Sequence, residues 1–278
     1  MATSLAPIVT PALIATIRRY PNLPRHSWYF VAATTLSIIN RPDEITQIYK
    51  YALNNGLDQD QVDSTPNIEE QLAISRRIRE AIIKSAAIGG LPKAINALLA
   101  LKAVTPTHLV DEPMAFSPTL RPVEIYDTPS SQILLRGQTF FDMVYGKVSK
   151  RVMGQMDRSG TEDLGLTARL MYGYVLSNTN VLSPAETSFV LIAGLIPQDV
   201  NPQLKGHLKG ALNGGATVAE VKAVRDVVIK ICEASGMKRI TEDSPAVGVG
   251  EMKSPTYEAS QMSLNWGAVG VPEIQSFR

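Results

Sequence analysis

The stretch "SPAETSFVLIAGLIPQDVNPQLKGHLKGALNGGATVAEVKAVRDVVIKICEASG", residues 183 to 236, contains three helical patterns in succession. It opens with Ser183, Pro184 and Glu186. A serine N-cap followed three residues later by a glutamate is a capping box, and a proline at the first helical position loses no hydrogen bond. The opening therefore predicts a helix that begins directly after Ser183.

The second and third patterns predict two further helices. The second ends at Gly214 and Gly215, because glycine accepts the left-handed backbone conformation that follows a helix. The third opens with another capping box, Thr217 and Glu220, and ends at Gly236. The second pattern carries an apolar stripe at helical spacing that includes one histidine: Leu204, His207, Leu208, Ala211 and Leu212.

A weaker copy of this arrangement lies in the first half of the chain. The letters ALNNG at 52–56 resemble ALNGG at 211–215, and IIKSAAIGG at 82–90 resembles VIKICEASG at 228–236. Such self-similarity is typical of a repeated helical unit. The first copy keeps the helix-ending residues, but it lacks the histidine and the glutamate of the second.

We therefore predict an all-α fold with two divergent tandem repeats. Residues 1–103 form the degenerate repeat and residues 132–240 the better preserved one. Residues 104–131 contain five prolines and are predicted to be a linker, because a helix cannot continue through so many prolines. Residues 241–278 form an extended tail, too apolar to be free, which we expect to wrap over its own core or a neighbouring subunit.

Composition excludes several classes of function. Apolar residues make up 45% and charged residues 19% of the 278-residue chain, as in ordinary globular proteins. The net charge of +1 gives no reason to expect nucleic acid or a membrane as partner. No run of apolar residues is long enough for a membrane-spanning helix. The single cysteine, Cys232, excludes an internal disulfide framework.

The same observations predict a cytoplasmic protein. The mitochondrial matrix is the alternative, because residues 1–42 carry four arginines and no acidic residue. The last three residues, Ser-Phe-Arg, do not match the peroxisomal address Ser-Lys-Leu. A two-copy helical chain also favours a homodimer or a homotrimer.

The stretch 183–236 resembles the carboxymuconolactone decarboxylase family, which shares its helical-bundle fold with the alkyl hydroperoxidase D-like proteins. The resemblance is carried by the "HLKGALNGG" helix, the restart "TVAEV" and the final "ASG". Residues 28–101 resemble the same unit more weakly. The redox branch of this fold places two cysteines before the histidine that matches His207, but Asn201 and Leu204 stand at those positions. A thiol peroxidase or disulfide reductase is therefore excluded, because no thiolate is available.

The resemblance implies a cysteine-independent decarboxylase or related lyase that acts on a small organic acid or lactone. His207 would be the acid and base, and Glu186 or Glu220 would orient it. Tyr172 and Arg169 would bind the substrate, the arginine through a carboxylate. We predict no cofactor and no metal.

Each of these residues also has a purely structural interpretation. His207 is equally well explained as a core histidine with one hydrogen bond. Glu186 and Glu220 are explained by capping alone, Tyr172 by packing in the core and Arg169 by a surface salt bridge. The alternative function is therefore a non-catalytic scaffold or binding member of the same fold family.

Overall fold

The structure is a computed structural model that describes residues 6–55, 66–111, 117–239 and 265–266. Within these residues the protein is all-α, as predicted. No described helix has the length and apolar character that crossing a membrane would require. The helices are α1 (Pro11–Arg18), α2 (Trp28–Ile38), α3 (Pro42–Asn55), α4 (Ile68–Gly89), α5 (Leu91–Val104), α6 (Arg121–Asp127), α7 (Ser130–Tyr145), α8 (Ser149–Asp157), α9 (Asp163–Leu170), α10 (Pro184–Leu195), α11 (Asn201–Asn213) and α12 (Val218–Ala234).

Three shorter helical segments and one minimal strand pair complete the described structure. A π-helix continues α9 over Met171–Leu176, and single 3-10 turns lie at Thr107–Leu109 and Gly146–Val148. The strands β1 (Lys238–Arg239) and β2 (Asn265–Trp266) pair in parallel. The rest of the predicted tail, and with it the expected wrapping, lies outside the described residues.

Both predicted capping boxes are confirmed. The Ser183 side chain accepts from the Glu186 amide while the Glu186 carboxylate accepts from the Ser183 amide, and Thr217 and Glu220 repeat this arrangement at the start of α12. After α11, Gly215 takes a φ of 104°, the left-handed region that favours glycine. The boundaries of these helices are therefore set by local contacts.

The centre of the molecule consists of α2 and α10. All eleven residues of α2 are buried, and α10 is buried from Thr187 to Leu195. The two helices contact each other, and each also contacts both α4 and α12. Helices that are apolar on every side belong in such an interior position.

The outer helices pack in matching positions around this centre. Helix α3 lies against α2 and is covered by α5, while α11 lies against α10 and is covered by α7. This arrangement is the one that two related helical units would give. The tandem repeat itself, with its boundaries at 1–103 and 132–240, stays a prediction.

The outward face of α5 differs from the sequence expectation. Its spacing predicts an amphipathic helix through Leu91, Ile95, Leu98 and Leu99. Leu98 packs against the core, but the exposed fractions of Leu91, Ile95 and Leu99 are 64%, 46% and 62%. The buried residues are Ala94, Ala97 and Leu101. Helix α5 contacts α3 and α4 through the face that carries the two alanines, which leaves Leu91, Ile95 and Leu99 outside. The predicted homodimer or homotrimer stays a prediction.

The first residues of the chain and the segment predicted to be a linker both carry structure of their own. Helix α1 contacts α2 and α12, and the amides of Ile8 and Val9 donate to the Glu44 carboxylate at 2.8 and 2.9 Å. Within 104–131 the chain forms a 3-10 turn and α6. The first residue of α6, Arg121, is tied to α4 by an ion pair with Glu80.

Glycines allow α7 to lie unusually close to two neighbours. A Cβ on Gly137 would lie 2.5 Å from the backbone nitrogen of Gly173 in the π-helix. A Cβ on Gly206 of α11 would lie 2.7 Å from the Tyr145 ring. These close contacts fix the end of α7 against α11, next to α8.

Candidate functional site

His207 lies on the inner face of α11, as its stripe predicts, and only 4% of it is exposed. The Tyr145 ring stands edge-on to the imidazole with the two centroids 5.8 Å apart. The Nδ1 atom of His207 is buried without a hydrogen-bond partner. Burial alone lowers the pKa of this imidazole to about 4, and no charged group contributes to the shift. The histidine is therefore neutral at physiological pH.

The two glutamates expected to orient His207 lie elsewhere. Glu186 pairs with Arg77 of α4 in addition to its role in the capping box. Glu220 accepts from the amide and the hydroxyl of Thr217 at 2.7 and 2.9 Å. No hydrogen bond joins either carboxylate to His207 in the part of the chain that the structure describes, so the expected acid–base pair is not assembled.

The two residues expected to bind substrate are each engaged by other groups of the chain. Tyr172 is buried in the π-helix and packs edge-on against Phe141, with the ring centroids 4.8 Å apart. Its hydroxyl neighbours that of Tyr145, so it shares the surroundings of His207. Arg169 binds Asp157 through two hydrogen bonds of 2.6 and 2.8 Å. This guanidinium is occupied by a carboxylate of its own chain.

Cys232 offers no redox chemistry. It is buried in α12, and burial raises the pKa of its thiol to about 12, so the thiolate does not form near neutral pH. No group of metal-ligating side chains occurs within residues 6–55, 66–111 and 117–239.

A buried charged cluster on α4 was not anticipated from the sequence. The Lys84 ammonium is fully buried and donates to the carbonyls of Leu176 and Asn178, each at 2.7 Å, with Glu80 at 3.7 Å. Burial lowers the pKa of Lys84 to about 7. Arg121 holds the same Glu80 carboxylate from the other side. Glu80 and Lys84 are almost completely buried, whereas the Arg121 side chain is 15% exposed. The cluster ties α4, α6 and the π-helix together.

The described surface contains a cleft of about 310 Å³ where α7, α8 and α11 meet, which we call the basic cleft. The side of the cleft that faces the protein interior is lined by apolar side chains. Three exposed cations, Arg151, Lys205 and Lys209, stand around it, and no acidic side chain lines it in the described chain. The lining residues are Val144, Tyr145, Val148, Arg151, Val152, Pro202, Lys205, Gly206 and Lys209.

The local folding of three segments brings these residues together. Gly146, with a φ of 54°, ends α7 and turns the chain through a 3-10 turn into α8. Arg151 and Val152 of α8 then lie one turn after Val148, the last residue of the 3-10 turn, and all three line the cleft. Lys205 and Lys209 share a face of α11 by the same spacing. A cleft between helices that are distant in the chain leaves no local signal in the sequence, so this grouping of cations could not be predicted from it.

No protein-family model matches the chain. It is 37% identical over 210 residues to Peroxisomal protein 2 of Schizosaccharomyces pombe, covering 76% of this chain and 87% of that protein. The chain belongs to the Peroxisomal protein 2 family. The protein of the same name in Saccharomyces cerevisiae is 33% identical over 273 residues, covering 81% of this chain and 94% of that protein.

Membership of the Peroxisomal protein 2 family corrects the expected activity. The relatives are named as peroxisomal proteins and not as decarboxylases, so the prediction of a decarboxylase or lyase with His207 as acid and base is wrong. The geometry agrees, since His207 has no carboxylate partner among the described residues and its pKa is far below neutrality. The resemblance to the carboxymuconolactone decarboxylase and alkyl hydroperoxidase D-like proteins stays a prediction about fold relationship.

The family name also corrects the expected location. Both relatives are called peroxisomal, so the predictions of a cytoplasmic protein and of the mitochondrial matrix as its alternative are wrong. Targeting addresses are short signals that receptors recognise, and they leave no trace in composition or helical periodicity.

Proposed function

We propose that this chain is a peroxisomal protein that binds a small organic anion in the basic cleft. The binding part of the proposal is carried by one observation. Arg151, Lys205 and Lys209 surround an apolar cleft, and none of them forms an ion pair within the described ranges.

Electrostatics favours an anion at this position. Three like charges beside an apolar surface repel one another, and the low-dielectric wall strengthens their common field. Elsewhere in the described chain, arginines such as Arg169 and Arg136 are each held by a carboxylate. An anionic ligand would supply the negative charge that the chain itself does not place in the basic cleft.

Two helix ends add to this field. Val148 precedes the first residue of α8, and Pro202 lies in the first turn of α11, so both helices begin at the basic cleft. Helix N-termini carry partial positive charge. The opposing end of α7 is partly neutralised, because the Val144 carbonyl accepts from the Asn213 side chain at 3.1 Å.

The size of the basic cleft suits a small molecule. Its volume of about 310 Å³ is at the lower end of the range of ligand pockets. A nucleic acid or a protein segment would need a larger surface. The prediction of a small organic acid as partner is therefore kept, now at the basic cleft and away from His207.

The peroxisomal location is tested by microscopy. The full chain, fused to a fluorescent protein at either end in separate strains, is expected to coincide with a peroxisomal matrix marker in yeast. The matched control is the same fusion in cells that lack peroxisomes, where the signal should be diffuse. Diffuse signal from both fusions in normal cells would contradict the location.

Anion binding is tested with anilinonaphthalene sulfonate, a fluorescent probe that combines one anionic group with an apolar body. Wild-type protein should enhance its fluorescence. The double variant Arg151→Glu, Lys205→Glu should weaken binding by about tenfold or more, because attraction becomes repulsion. Lys150→Glu is the control, since Lys150 is exposed on α8 but does not line the basic cleft. Absence of binding, or equal binding by both variants, would overturn the proposal.

A further inference from the structure

The basic cleft has two chemically different parts. Its inner wall is formed by buried Val144 together with half-buried Tyr145 and Val152. The Tyr145 ring lies close against the backbone of α11 at Gly206, where any side chain would collide with it. The inner wall is therefore a nearly continuous hydrocarbon surface, and the charged groups of Arg151, Lys205 and Lys209 stand at the exposed mouth.

The inner wall is poorly suited to a highly charged ligand. Its valines have no donor groups, and the Tyr145 hydroxyl already faces that of Tyr172. A polyphosphate needs donors on several sides, whereas here the cations lie on the mouth alone. A ligand with a single anionic group and an apolar chain would match both parts of the basic cleft at once.

We infer that the ligand of the basic cleft is an aliphatic monocarboxylate, with its carboxylate at the mouth and its chain along the inner wall. This inference rests on the proposed function and adds the class of ligand. Arg151 is suited to hold the carboxylate through two parallel hydrogen bonds, and the lysines add charge. Val144, Val152 and the Tyr145 ring cover the chain.

The inference predicts that affinity depends on chain length. Hexanoate, octanoate and decanoate should each displace anilinonaphthalene sulfonate from the full-length protein. Each buried methylene is expected to improve the dissociation constant by up to about fourfold until the chain outgrows the cleft. Octanol, which has the chain without the charge, and pyrophosphate, which has charge without a chain, should displace the probe only at far higher concentrations.

Variants separate the two parts of the basic cleft. Arg151→Gln should weaken octanoate binding severalfold and leave octanol unaffected. Val152→Thr, a nearly isosteric change at a half-buried position of the inner wall, should reduce the gain per methylene. Lys150→Gln is the control for both and should behave as wild type. Circular dichroism confirms that each variant is folded.

The outcomes distinguish this inference from the proposed function. One outcome is that the probe binds in the basic cleft while the three carboxylates displace it equally, or while pyrophosphate displaces it better than octanoate. In either case the assignment of an aliphatic monocarboxylate is wrong, and the proposal of anion binding stands. If the probe does not bind wild-type protein at all, the proposed function fails. Displacement that rises with chain length and is weakened by Arg151→Gln supports the inference.

Discussion

At the scale of single residues, burial without a partner determines the behaviour of His207. Its imidazole is buried beside the Tyr145 ring, and Nδ1 has no hydrogen bond. Desolvation penalises the charged form, which lowers the pKa from 6.5 to about 4. The residue that appears catalytic in the sequence is thus a neutral core residue.

This pKa predicts how stability depends on pH. Between about pH 4 and 6.5 the unfolded chain binds a proton at His207 and the folded chain does not, so stability falls as the pH drops through this window. The loss is expected to reach about 3 kcal/mol at most. Urea denaturation of wild type and His207→Gln at pH 7 and about pH 4.5 measures this loss. The free energy of unfolding should fall less in the variant than in wild type.

His26→Gln is the matched control for that measurement. The pKa of His26 is also lowered, by desolvation and then by Arg77, but this side chain is exposed. The stability of His26→Gln should therefore keep most of the wild-type dependence on pH. Parallel stability curves for wild type and His207→Gln would show that the assigned protonation state of His207 is incorrect.

At the scale of elements, close backbone contacts set the position of α7. Gly137 touches the π-helix at Gly173, and Gly206 of α11 accepts the Tyr145 ring near the other end. Because α7 is fixed at both points, its last residues form a constant wall of the basic cleft. The π-helix at the crossing is a local departure from regular helix of the kind that often accompanies such special contacts.

Gly137→Ala is predicted to destabilise the protein by about 1–3 kcal/mol, because the added methyl group meets backbone that cannot move aside easily. Gly154→Ala in α8 is the control, since its methyl group would meet only the flexible Arg158 side chain. That variant should be neutral or more stable by up to about 1 kcal/mol. Thermal unfolding of both variants measures the difference. Equal stability of the two variants would contradict the close contact between α7 and the π-helix.

At the scale of the whole molecule, one buried carboxylate connects distant segments. Glu80 of α4 binds Arg121 of α6, and Arg121 also donates to the carbonyls of Tyr174 and Val175 in the π-helix at 3.0 and 2.8 Å. Lys84 extends the cluster to Leu176. The proline-containing segment is therefore held against both halves of the chain.

Removing this carboxylate should be costly. Glu80→Leu removes the carboxylate that pairs with the buried Lys84 and the partly exposed Arg121, and it is predicted to lower the free energy of unfolding by about 3–5 kcal/mol. Glu69→Leu, at an exposed position of the same helix, should change it little. Urea denaturation compares the two. A similar effect from both substitutions would mean that the cluster contributes no net stability.

Local patterns in the chain were enough to predict much of the fold. Both capping boxes and the glycine that follows α11 act within a few residues, so Ser183, Thr217 and Gly215 mark helix boundaries without reference to the rest of the protein. The orientation of α5 was not predictable in this way, because its alanines face inward only where α3 and α4 are close by.

The sequence by itself thus determined the all-α class, the starts of α10 and α12, the end of α11 and the absence of a cysteine pair. Only the tertiary structure decided that His207 lacks a carboxylate, that Glu186 serves Arg77 and that three cations meet at one cleft. The physical reason is the separation along the chain over which each interaction acts. Capping and periodicity depend on neighbours within a turn or two, whereas desolvation and charge pairing depend on which distant helices pack together.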